Sequence, residues 1–456
     1  MSSQPLSIVV LAAGEGKRMR STRPKVLQTV AGRPMLAHVL DAAAALQPES
    51  IHVVYGHGGD AVRAAFADRP LEWARQAEQL GTGHAVAQAL PAIPDHHQVL
   101  VLCADVPLIT PVTLKALVSA ANDTLSLLTV ALPDPTGYGR VLRSEDGAVE
   151  AVVEEKDASD EQRRINEVNT GVMCLPAEPL RRWLDALDAG NAQGEYYLTD
   201  CISMARRDGW PVHPLFCVDP WEVQGVNDRA QLAAVERAGQ HRQAAALMRE
   251  QGLGLADPAR FDLRGELSVG QDCFIDASVL IEGTVTLGDD VHVGPFTRLC
   301  DCHIQSGTRV LAHCDIEGSE IGHGCRVGPF ARLRPGTALA DRARVGNFVE
   351  TKQAWVGPDS KINHLSYIGD SELGAEVNVG AGTITCNYDG RKKHRTRIGD
   401  RVFIGSNTAL VAPLAVGEGV TIGAGTTVRE DIPADTLTVE TGRVRQIPGW
   451  RSEERD

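Results

Sequence analysis

The chain has 456 residues, more than one ordinary hydrophobic core holds, and domains of roughly 100–200 residues predict two or three of them, of which we take two. Its formal charge of −14 excludes a general nucleic-acid binder and a protein of anionic membrane surfaces, because both need a basic face. The apolar run Leu6–Ala13 is shorter than the roughly 20 residues of a membrane span and lacks a charged leader, so we expect a cytoplasmic protein.

Residues 1–226 alternate short apolar runs with stretches of helical character. The apolar runs predict strands over Ser7–Ala12, Ile51–Tyr55, Val99–Ala104 and Leu125–Ala131. Leu36–Leu46 and Thr82–Leu90 predict helices between them. This alternation predicts a Rossmann-like α/β domain, with helices on both faces of a mixed, mainly parallel sheet and ligands at the carboxyl ends of its strands.

Asn227-Asp228 offers a helix cap, and Arg229–Gln251 follows with apolar residues at approximately helical spacing. We expect this helix to connect two domains, although its weak apolar stripe also suits a peripheral helix of the first domain. The resulting division is a first domain at residues 1–228, a linker helix at 229–252 and a second domain at 253–456.

From about residue 263 a six-residue pattern appears, in which an aliphatic residue is often followed by Gly, Ala, Asp or Glu and then by small or polar residues. Clear examples begin at Val291, Ile321, Val327, Ile404, Val416 and Ile422. A pattern repeated to about Val428 predicts a parallel β-helix, each hexad forming one short strand. It is interrupted by the basic stretch Asn387–His394 and ends in a tail from Ile432, and such interruptions are where function is usually inserted.

Ten cysteines are scattered through the chain without a CxxC pair. We expect most of them to be buried, small hydrophobic residues in a reducing compartment. A metal site or a disulfide framework is the less favoured alternative, because Cys300-Asp-Cys302 has no second pair at zinc-finger distance.

The first chemical site follows the first predicted strand, where Gly14 and Gly16 precede Arg18 and Lys25. Glycines let the backbone approach phosphate oxygens, and the two cations supply the charge that a triphosphate requires. Glycines alone would equally suit a dinucleotide-binding turn or a plain tight turn. Asp105 at the end of an apolar strand is well placed to hold Mg²⁺, a hard cation that prefers oxygen ligands, but it also suits a simple cap.

The pattern LxAGxGxRM followed by PK resembles the signature of sugar-1-phosphate nucleotidyltransferases, with Lys17 where that family commonly has Thr or Ser and Ala104 where it commonly has Gly. The resemblance implies that Lys25 is catalytic and that Asp105 and Asn227 bind Mg²⁺. It further implies UTP and UDP-sugar contacts at Leu11, Ala12, Ala13, Gly14, Arg18, Lys25, Gln76, Gly81, Thr82, Gly139, Glu154, Asn169 and Asn227. The reaction it implies is attack of a sugar 1-phosphate on the α-phosphorus of UTP, releasing pyrophosphate.

In the second half, His364 is the best candidate for a general base, because a histidine can be poised near neutral pH. One histidine among fourteen is more often a surface residue, so its context decides. The repeats resemble hexapeptide-repeat acyltransferases, which are left-handed β-helices that form trimers with active sites between subunits. The stretches Arg332–Gly336, Gly346–Lys352, Ile362–Gly369 and Asn387–Lys393 closely resemble bacterial bifunctional N-acetylglucosamine-1-phosphate uridylyltransferases and glucosamine-1-phosphate acetyltransferases.

This resemblance covers about residues 5–450 and implies that His364 is the base and that Glu350 orients it. It implies amino-sugar-phosphate contacts at Arg334, Lys352, Tyr367, Asn378 and Lys393, although the three cations also suit a solvated basic face. It implies acetyl-CoA contacts at Ala381, Asn387, Tyr388, Ser406, Ala424 and Arg443, with Arg445 as a competitor for the last position.

The leading hypothesis is a cytoplasmic homotrimer that acetylates glucosamine 1-phosphate with acetyl-CoA and then uridylylates the N-acetylglucosamine 1-phosphate. Two other classes stay open. The β-helix could be only an assembly module on a monofunctional nucleotidyltransferase, against which His364 and its phosphate-binding set count. The first domain could instead be degenerate, making the chain a regulatory subunit, against which Lys25, Asp105 and Asn227 count.

Overall fold

The computed structural model describes residues 4–122, 124–442 and 446–448. The chain divides into two compact units, Met1–Gly239 and Gln240–Asp456. The helix Arg229–Glu250, predicted at Arg229–Gln251, contains the boundary between them. None of the described helices is both long enough and apolar enough to cross a membrane.

The first unit contains eleven described strands and six α-helices of its own, besides short 3-10 turns. Strands β1 to β11 are Leu6–Ala12, Thr29–Val30, Arg33–Pro34, Ser50–Tyr55, Glu72–Arg75, Gln98–Cys103, Leu125–Ala131, Arg140–Arg143, Val149–Val153, Glu167–Pro176 and Val212–Phe216. Helices α1 to α6 are Met35–Ala44, Gly59–Ala65, Thr82–Ala89, Pro111–Ala120, Ala177–Asp185 and Asp200–Arg207, and the helix that contains the unit boundary is α7.

The central sheet of this unit has the order β11-β7-β10-β6-β1-β4-β5, with β8 and β9 attached beside β10. Its strands are parallel except that β10 runs antiparallel to β6, β7 and β8, and β8 antiparallel to β9. One buried aliphatic cluster packs on each face of the sheet. The predicted mixed α/β sheet is therefore confirmed, and the carboxyl ends of β1 and β6 lie side by side at one edge.

The second unit consists almost entirely of short parallel strands. Strands β12 to β36 are Gly254–Leu255, Phe261–Val269, Phe274–Ile275, Val279–Leu287, His292–Val293, Arg298–Ile304, Arg309–Val310, Asp315–Glu317, Ser319–Ile321, Arg326–Val327, Arg332–Leu333, Thr337–Leu339, Arg344–Asn347, Glu350–Val356, Lys361–His364, Tyr367–Leu373, Asn378–Val379, Ile384–Cys386, Thr396–Ile398, Phe403–Ile404, Ala409–Val411, Leu414–Val416, Thr421–Ile422, Thr427–Val428 and Leu437–Thr438.

These strands stack into coils of a left-handed parallel β-helix, as predicted, because the aliphatic residue of each hexad points into one continuous core. On one face, Val345, Ile362, Val379, Ile404 and Ile422 are successive ladder partners. Equivalent positions of the repeat therefore lie above one another. Side chains at one position form a column along the solenoid.

The ten cysteines are all free, seven of them buried and three partly buried. Burial raises the pKa of Cys174 and of Cys302 to about 12. These thiols therefore stay protonated and act as small hydrophobic residues, as expected from their scattered positions.

Candidate active sites

In the first unit, a loop leaves the end of β1 and returns to the side chain of Lys25. Gly16 has a φ of 64°, and a Cβ there would lie 2.6 Å from the Cβ of Lys25. Only glycine combines this left-handed backbone with so close an approach. The loop glycine therefore fixes where Lys25 can lie.

Lys25, Asp105 and Asn227 converge although they are far apart in the chain. The Nζ atom of Lys25 lies 2.5 Å from Oδ2 of Asp105 and donates to Oδ1 of Asn227 at 3.3 Å. The backbone carbonyl of Asp105 also accepts from the amide of Val226 at 3.0 Å, which ties the segment before Asn227 to the end of β6. Two side-chain oxygens thus face one cationic group at the carboxyl edge of the sheet.

A cavity of about 180 Å³ opens beside this edge and gathers several of the predicted contact residues. Its lining includes Leu11, Thr82, Gly139, Glu154 and Asn169. It also includes residues that were not assigned from the sequence, among them Cys103, Tyr138, Gly171 and Thr199. Cys103 ends the strand that leads to Asp105, and this position could have indicated it.

Glu154 is the acidic group of this cavity. Burial raises the pKa of its carboxyl, while the hydroxyl of Thr199, which donates to Oε1 at 3.0 Å, acts in the opposite direction. A Cβ on Gly139 would lie 3.3 Å from the same oxygen. Glycine therefore leaves room for a polar group of a ligand beside Glu154.

The predicted nucleotide contacts Gln76, Gly81 and Thr82 are held by internal hydrogen bonds. Buried Gln76 donates through Nε2 to the carbonyl of Gly81 at 3.1 Å. Gly81 has a φ of 111°, and a Cβ there would meet the backbone of Tyr196 at 2.6 Å. Thr82 begins α3 and accepts from the amide of Leu198 at 3.0 Å. These contacts bring residues 76–82 against residues 196–198.

The remaining predicted contacts of the first site lie on the loop itself. Ala12 and Ala13 are buried at the end of β1, whereas Gly14 and Arg18 are exposed. Lys17 is paired with Glu15 at 2.5 Å, so its charge is partly neutralised within the loop. The described contacts do not connect Arg18 with the group formed by Lys25, Asp105 and Asn227.

In the second unit, a column of side chains contains the predicted base. Each member lies two residues after an inward-facing ladder residue of the same face. The column is Asn347, His364, Ala381, Ser406 and Ala424. The predicted base and three predicted acetyl-CoA contacts therefore occupy one line along the solenoid.

The hydrogen-bond partner of His364 is Asn347, whose Oδ1 lies 2.8 Å from the imidazole Nδ1. Glu350, which the resemblance assigned to orient His364, instead accepts from the guanidinium of Arg334 at 2.8 Å. The orienting role predicted for Glu350 stays a prediction. Asn347 and His364 are direct ladder partners, whereas Glu350 lies past the corner on the next strand.

Three cations gather on the neighbouring face. The ammonium of Lys393 lowers the pKa of Lys352, and desolvation and the charge of Arg334 act in the same direction. Neighbouring positive charges repel one another unless an anion lies between them. Arg334, Lys352 and Lys393 therefore form a site that suits a phosphate group.

Tyr367 and Asn387 meet beside these cations. The amide of Asn387 donates to Asp370 at 2.6 Å and to the hydroxyl of Tyr367 at 3.4 Å. A Cβ on Gly369 would lie 2.5 Å from that hydroxyl. Predicted sugar-phosphate and acetyl-CoA contacts thus share one hydrogen-bonded group.

The basic stretch Asn387–His394 forms a small excursion from the coil. Tyr388 is exposed, pairs with Lys393 in an isolated antiparallel bridge and donates to the carbonyl of Gly390 at 2.8 Å. The backbone amide of Lys392 lowers the pKa of Asp389 most, and hydrogen bonds from His394 and another backbone amide bring it to about 2. A permanently charged Asp389 thus braces the turn that carries Lys393.

Asn378 lies on the outward side of the ladder, paired with Lys361 and Phe403. Among the described residues, its side chain forms no hydrogen bond or ion pair with Tyr367 or Lys352. Arg443 and Arg445, the two candidates for the tail contact to coenzyme A, lie outside the described residues.

Comparisons with known proteins match both halves. A family model of the MobA-like NTP transferase domain matches residues 8–252, one of the GMPPB C-terminal domain matches residues 263–372, and the bacterial transferase hexapeptide model, six repeats long, matches residues 395–430. The bifunctional protein GlmU of Alkalilimnicola ehrlichii is 61% identical over 98% of this chain and 96% of its own length. Those of Marinobacter nauticus and Stenotrophomonas maltophilia are 55% and 54% identical, each over 98% of both chains.

Matches of this identity extend across both units, so the predicted resemblance is confirmed. The chain belongs to the bifunctional GlmU family and is a uridylyltransferase and acetyltransferase of UDP-N-acetylglucosamine synthesis.

Proposed function

We propose that the two reactions take place at two separate sites, uridylyl transfer within residues 1–228 and acetyl transfer within residues 253–456, with 229–252 as a connecting helix. The observation that carries this proposal is the convergence of Lys25, Asp105 and Asn227 in one unit and of His364 with a basic phosphate-binding group in the other. Each set suits one of the two reactions.

At the first site, Gly14 and Arg18 border the triphosphate, and Lys25 neutralises charge that develops on the α-phosphoryl group. The oxygen of the sugar phosphate attacks the α-phosphorus in line, and the bond to pyrophosphate breaks. No protein nucleophile is required. Gln76, Gly81 and Thr82 contact the base, with the backbone of Leu11, Ala12 and Ala13 beneath the nucleotide.

A Mg²⁺ ion fits the first site, because Asp105 and Asn227 already direct two oxygens at the cationic Nζ of Lys25. When bound there, the ion would neutralise negative charge on the phosphate groups. Lys25 would then turn from Asp105 toward the phosphates. Gly139, Glu154 and Asn169 hold the sugar hydroxyls on the other side of the cavity.

At the second site, Arg334, Lys352 and Lys393 bind the phosphate of glucosamine 1-phosphate, with Tyr367 and Asn378 beside the sugar. The amine attacks the thioester carbonyl, and His364 takes the amine proton at Nε2. The C–S bond then breaks, and His364 returns that proton to the departing thiolate, which leaves as the thiol of coenzyme A. The path of acetyl-CoA is lined by the remaining predicted contacts, which are Ala381, Asn387, Tyr388, Ser406, Ala424 and Arg443.

We also propose a cytoplasmic homotrimer with the acetyl-transfer sites between subunits. An aromatic column next to His364 supports self-association: the rings of Phe296, His313, Phe330 and Phe348 stack at 5.0, 4.7 and 5.1 Å between centroids. The three phenylalanines are 45–57% exposed. Exposed apolar side chains in a continuous row favour burial against another copy. Light scattering that gives a monomer mass would contradict the trimer.

The proposal is tested by supplying glucosamine 1-phosphate, acetyl-CoA, UTP and Mg²⁺ and following thiol and pyrophosphate separately, omitting one substrate at a time. Asp105→Asn is expected to abolish pyrophosphate release while thiol release continues. His364→Gln is expected to abolish thiol release, while pyrophosphate release continues when N-acetylglucosamine 1-phosphate is supplied. Thiol release that survives in His364→Gln would overturn the assignment of the base. Loss of both activities in either variant would overturn the separation of the sites.

A further inference from the structure

The environment of His364 indicates how its protonation is set. We propose that Asn347 is the positioning residue of the acetyl-transfer base and that Glu350 acts on the phosphate-binding Arg334 instead. The inference rests on the proposed role of His364 as base. It adds a residue to the site and reassigns another.

The first step concerns the tautomer of His364. The Oδ1 atom of Asn347 lies 2.8 Å from Nδ1, and a carbonyl oxygen can only accept a hydrogen bond. The proton of the neutral imidazole is therefore held on Nδ1. The lone pair is left on Nε2, the atom that must take the amine proton.

The second step is that the backbone fixes this contact. Asn347 and His364 are ladder partners, and the amide of Leu365 donates to the carbonyl of Asn347 at 3.0 Å. The hydroxyl of Ser366 donates to the carbonyl of His364 at 2.8 Å. The hydrogen bond with Asn347 thus holds the imidazole, and the two hydrogen bonds to the carbonyls of Asn347 and His364 hold the backbone that carries the pair.

The third step separates Asn347 from Glu350. The carboxylate of Glu350 accepts from Arg334 at 2.8 Å, and its charge is therefore offset by a guanidinium. An amide partner stabilises an imidazolium less than a carboxylate does. Asn347 therefore orients His364 without placing a negative charge beside the imidazole.

The test uses Asn347→Ala, Asn347→Asp and Glu350→Gln in the full-length chain, with acetyl transfer measured across pH and pyrophosphate release as the control of folding. Asn347→Ala is expected to lower kcat for acetyl transfer about tenfold to a hundredfold with little change in KM. Asn347→Asp is expected to keep the hydrogen bond and to move the acid limb of the pH profile upward by about one unit, because a carboxylate stabilises the imidazolium.

Glu350→Gln is expected to raise KM for glucosamine 1-phosphate and to leave the acid limb in place. Asn363→Ala removes the neighbouring asparagine, whose side chain forms no hydrogen bond with the described residues, and serves as the matched control. An unchanged pH profile in Asn347→Asp, or a shift in Glu350→Gln instead, would overturn the proposal. Failure of the base assignment itself is distinguishable, because acetyl transfer would then survive in His364→Gln.

Discussion

The two units bring functional residues together in different ways. In the α/β unit, Lys25, Asp105 and Asn227 come from three distant segments that follow strands ending at one edge of the sheet. In the β-helix, Asn347 and His364 meet because they hold the same position in successive coils. The first site depends on loops, and the second depends on the register of a backbone ladder.

This difference should determine how each site responds to added atoms. A loop can move by a few tenths of an ångström at small cost, because few backbone hydrogen bonds hold it. A coil cannot move without separating from the coils on both sides. Matched glycine substitutions in the two units therefore give the sharpest comparison.

Gly346→Ala is expected to have the largest effect. A Cβ at this position would overlap the backbone carbonyl of Asn363 in the next coil, directly before His364. Overpacking at a backbone contact should destabilise the β-helix by about 3 kcal/mol. It should also displace the pair Asn347–His364 and lower acetyl transfer by more than about a hundredfold.

The measurement is thermal unfolding, which should show a lower transition for the β-helix only, together with both activity assays. Gly307→Ala is the control, because its φ of 75° adds a backbone strain that Gly346 lacks while the nearest atoms lie 3.9 Å away. A larger loss of stability in Gly346→Ala would therefore come from the overlap with the next coil. If Gly346→Ala lowers the unfolding transition no more than Gly307→Ala does, adjacent coils can move apart more easily than the backbone ladder implies.

Gly16→Ala is expected to have a smaller effect, confined to uridylyl transfer. The new Cβ would lie 2.6 Å from the Cβ of Lys25, and the loop can relax by moving Lys25 away from Asp105. We expect a loss of about tenfold to a hundredfold in kcat, because a small displacement of a charge-stabilising group is costly. Gly209→Ala shares the positive φ, at 81°, without any neighbour within 4 Å. Equal losses of kcat for uridylyl transfer in the two variants would show that backbone strain, and not the displacement of Lys25, causes the effect.

The same contrast explains how much could be predicted from the sequence. Hexad periodicity predicted the β-helix because the period is a property of the chain itself. The placement of His364 with Ala381, Ser406 and Ala424 follows from that period once coil boundaries are known. The contact of Asn347 with His364 was not predicted, because motif resemblance carries no information on which side chain faces a ring nitrogen.

Contacts across the α/β unit were harder to predict. The hydroxyl of Thr199 reaches Glu154 from a distant segment, and no local pattern marks either residue as a partner of the other. The strand-end position of Asp105 was predictable, because an apolar run ends there. Its contact with Lys25 depends on the path of the loop between β1 and Lys25, and that path is fixed by tertiary packing.

Lys393→Gln should change affinity and leave both folds intact. Removing one of three cations is expected to raise KM for glucosamine 1-phosphate about tenfold. Lys393 also lowers the pKa of Lys352, so Lys352 loses its proton at a lower pH than an ordinary lysine. In the variant, the alkaline limb of phosphate affinity should therefore move to higher pH. Lys392→Gln removes an adjacent exposed charge and serves as the control. An equal rise of KM in Lys392→Gln would indicate that the positive electrostatic field of the whole surface, and no defined phosphate contact of Lys393, determines the affinity.

Glu154→Gln should have a small, stabilising effect on the α/β unit and extends the comparison to a buried charge. Burial raises the pKa of Glu154 in the folded state, so its ionised form disfavours folding above that pKa. Glutamine removes the charge and can still accept from Thr199. We expect the unfolding transition of the α/β unit to rise by about one to three degrees near neutral pH.

This gain in stability has a defined pH dependence. Below the ordinary range of a glutamate carboxyl, Glu154 is protonated in both the folded and the unfolded state, and the difference from glutamine should vanish. KM for N-acetylglucosamine 1-phosphate should rise in the same variant, because a sugar-binding carboxylate has been removed. Glu150→Gln, at an exposed position of β9, the strand that ends just before Glu154, should change neither quantity. A stabilised but weaker-binding enzyme would show that the first site retains a buried charge for its ligand at the expense of its own fold.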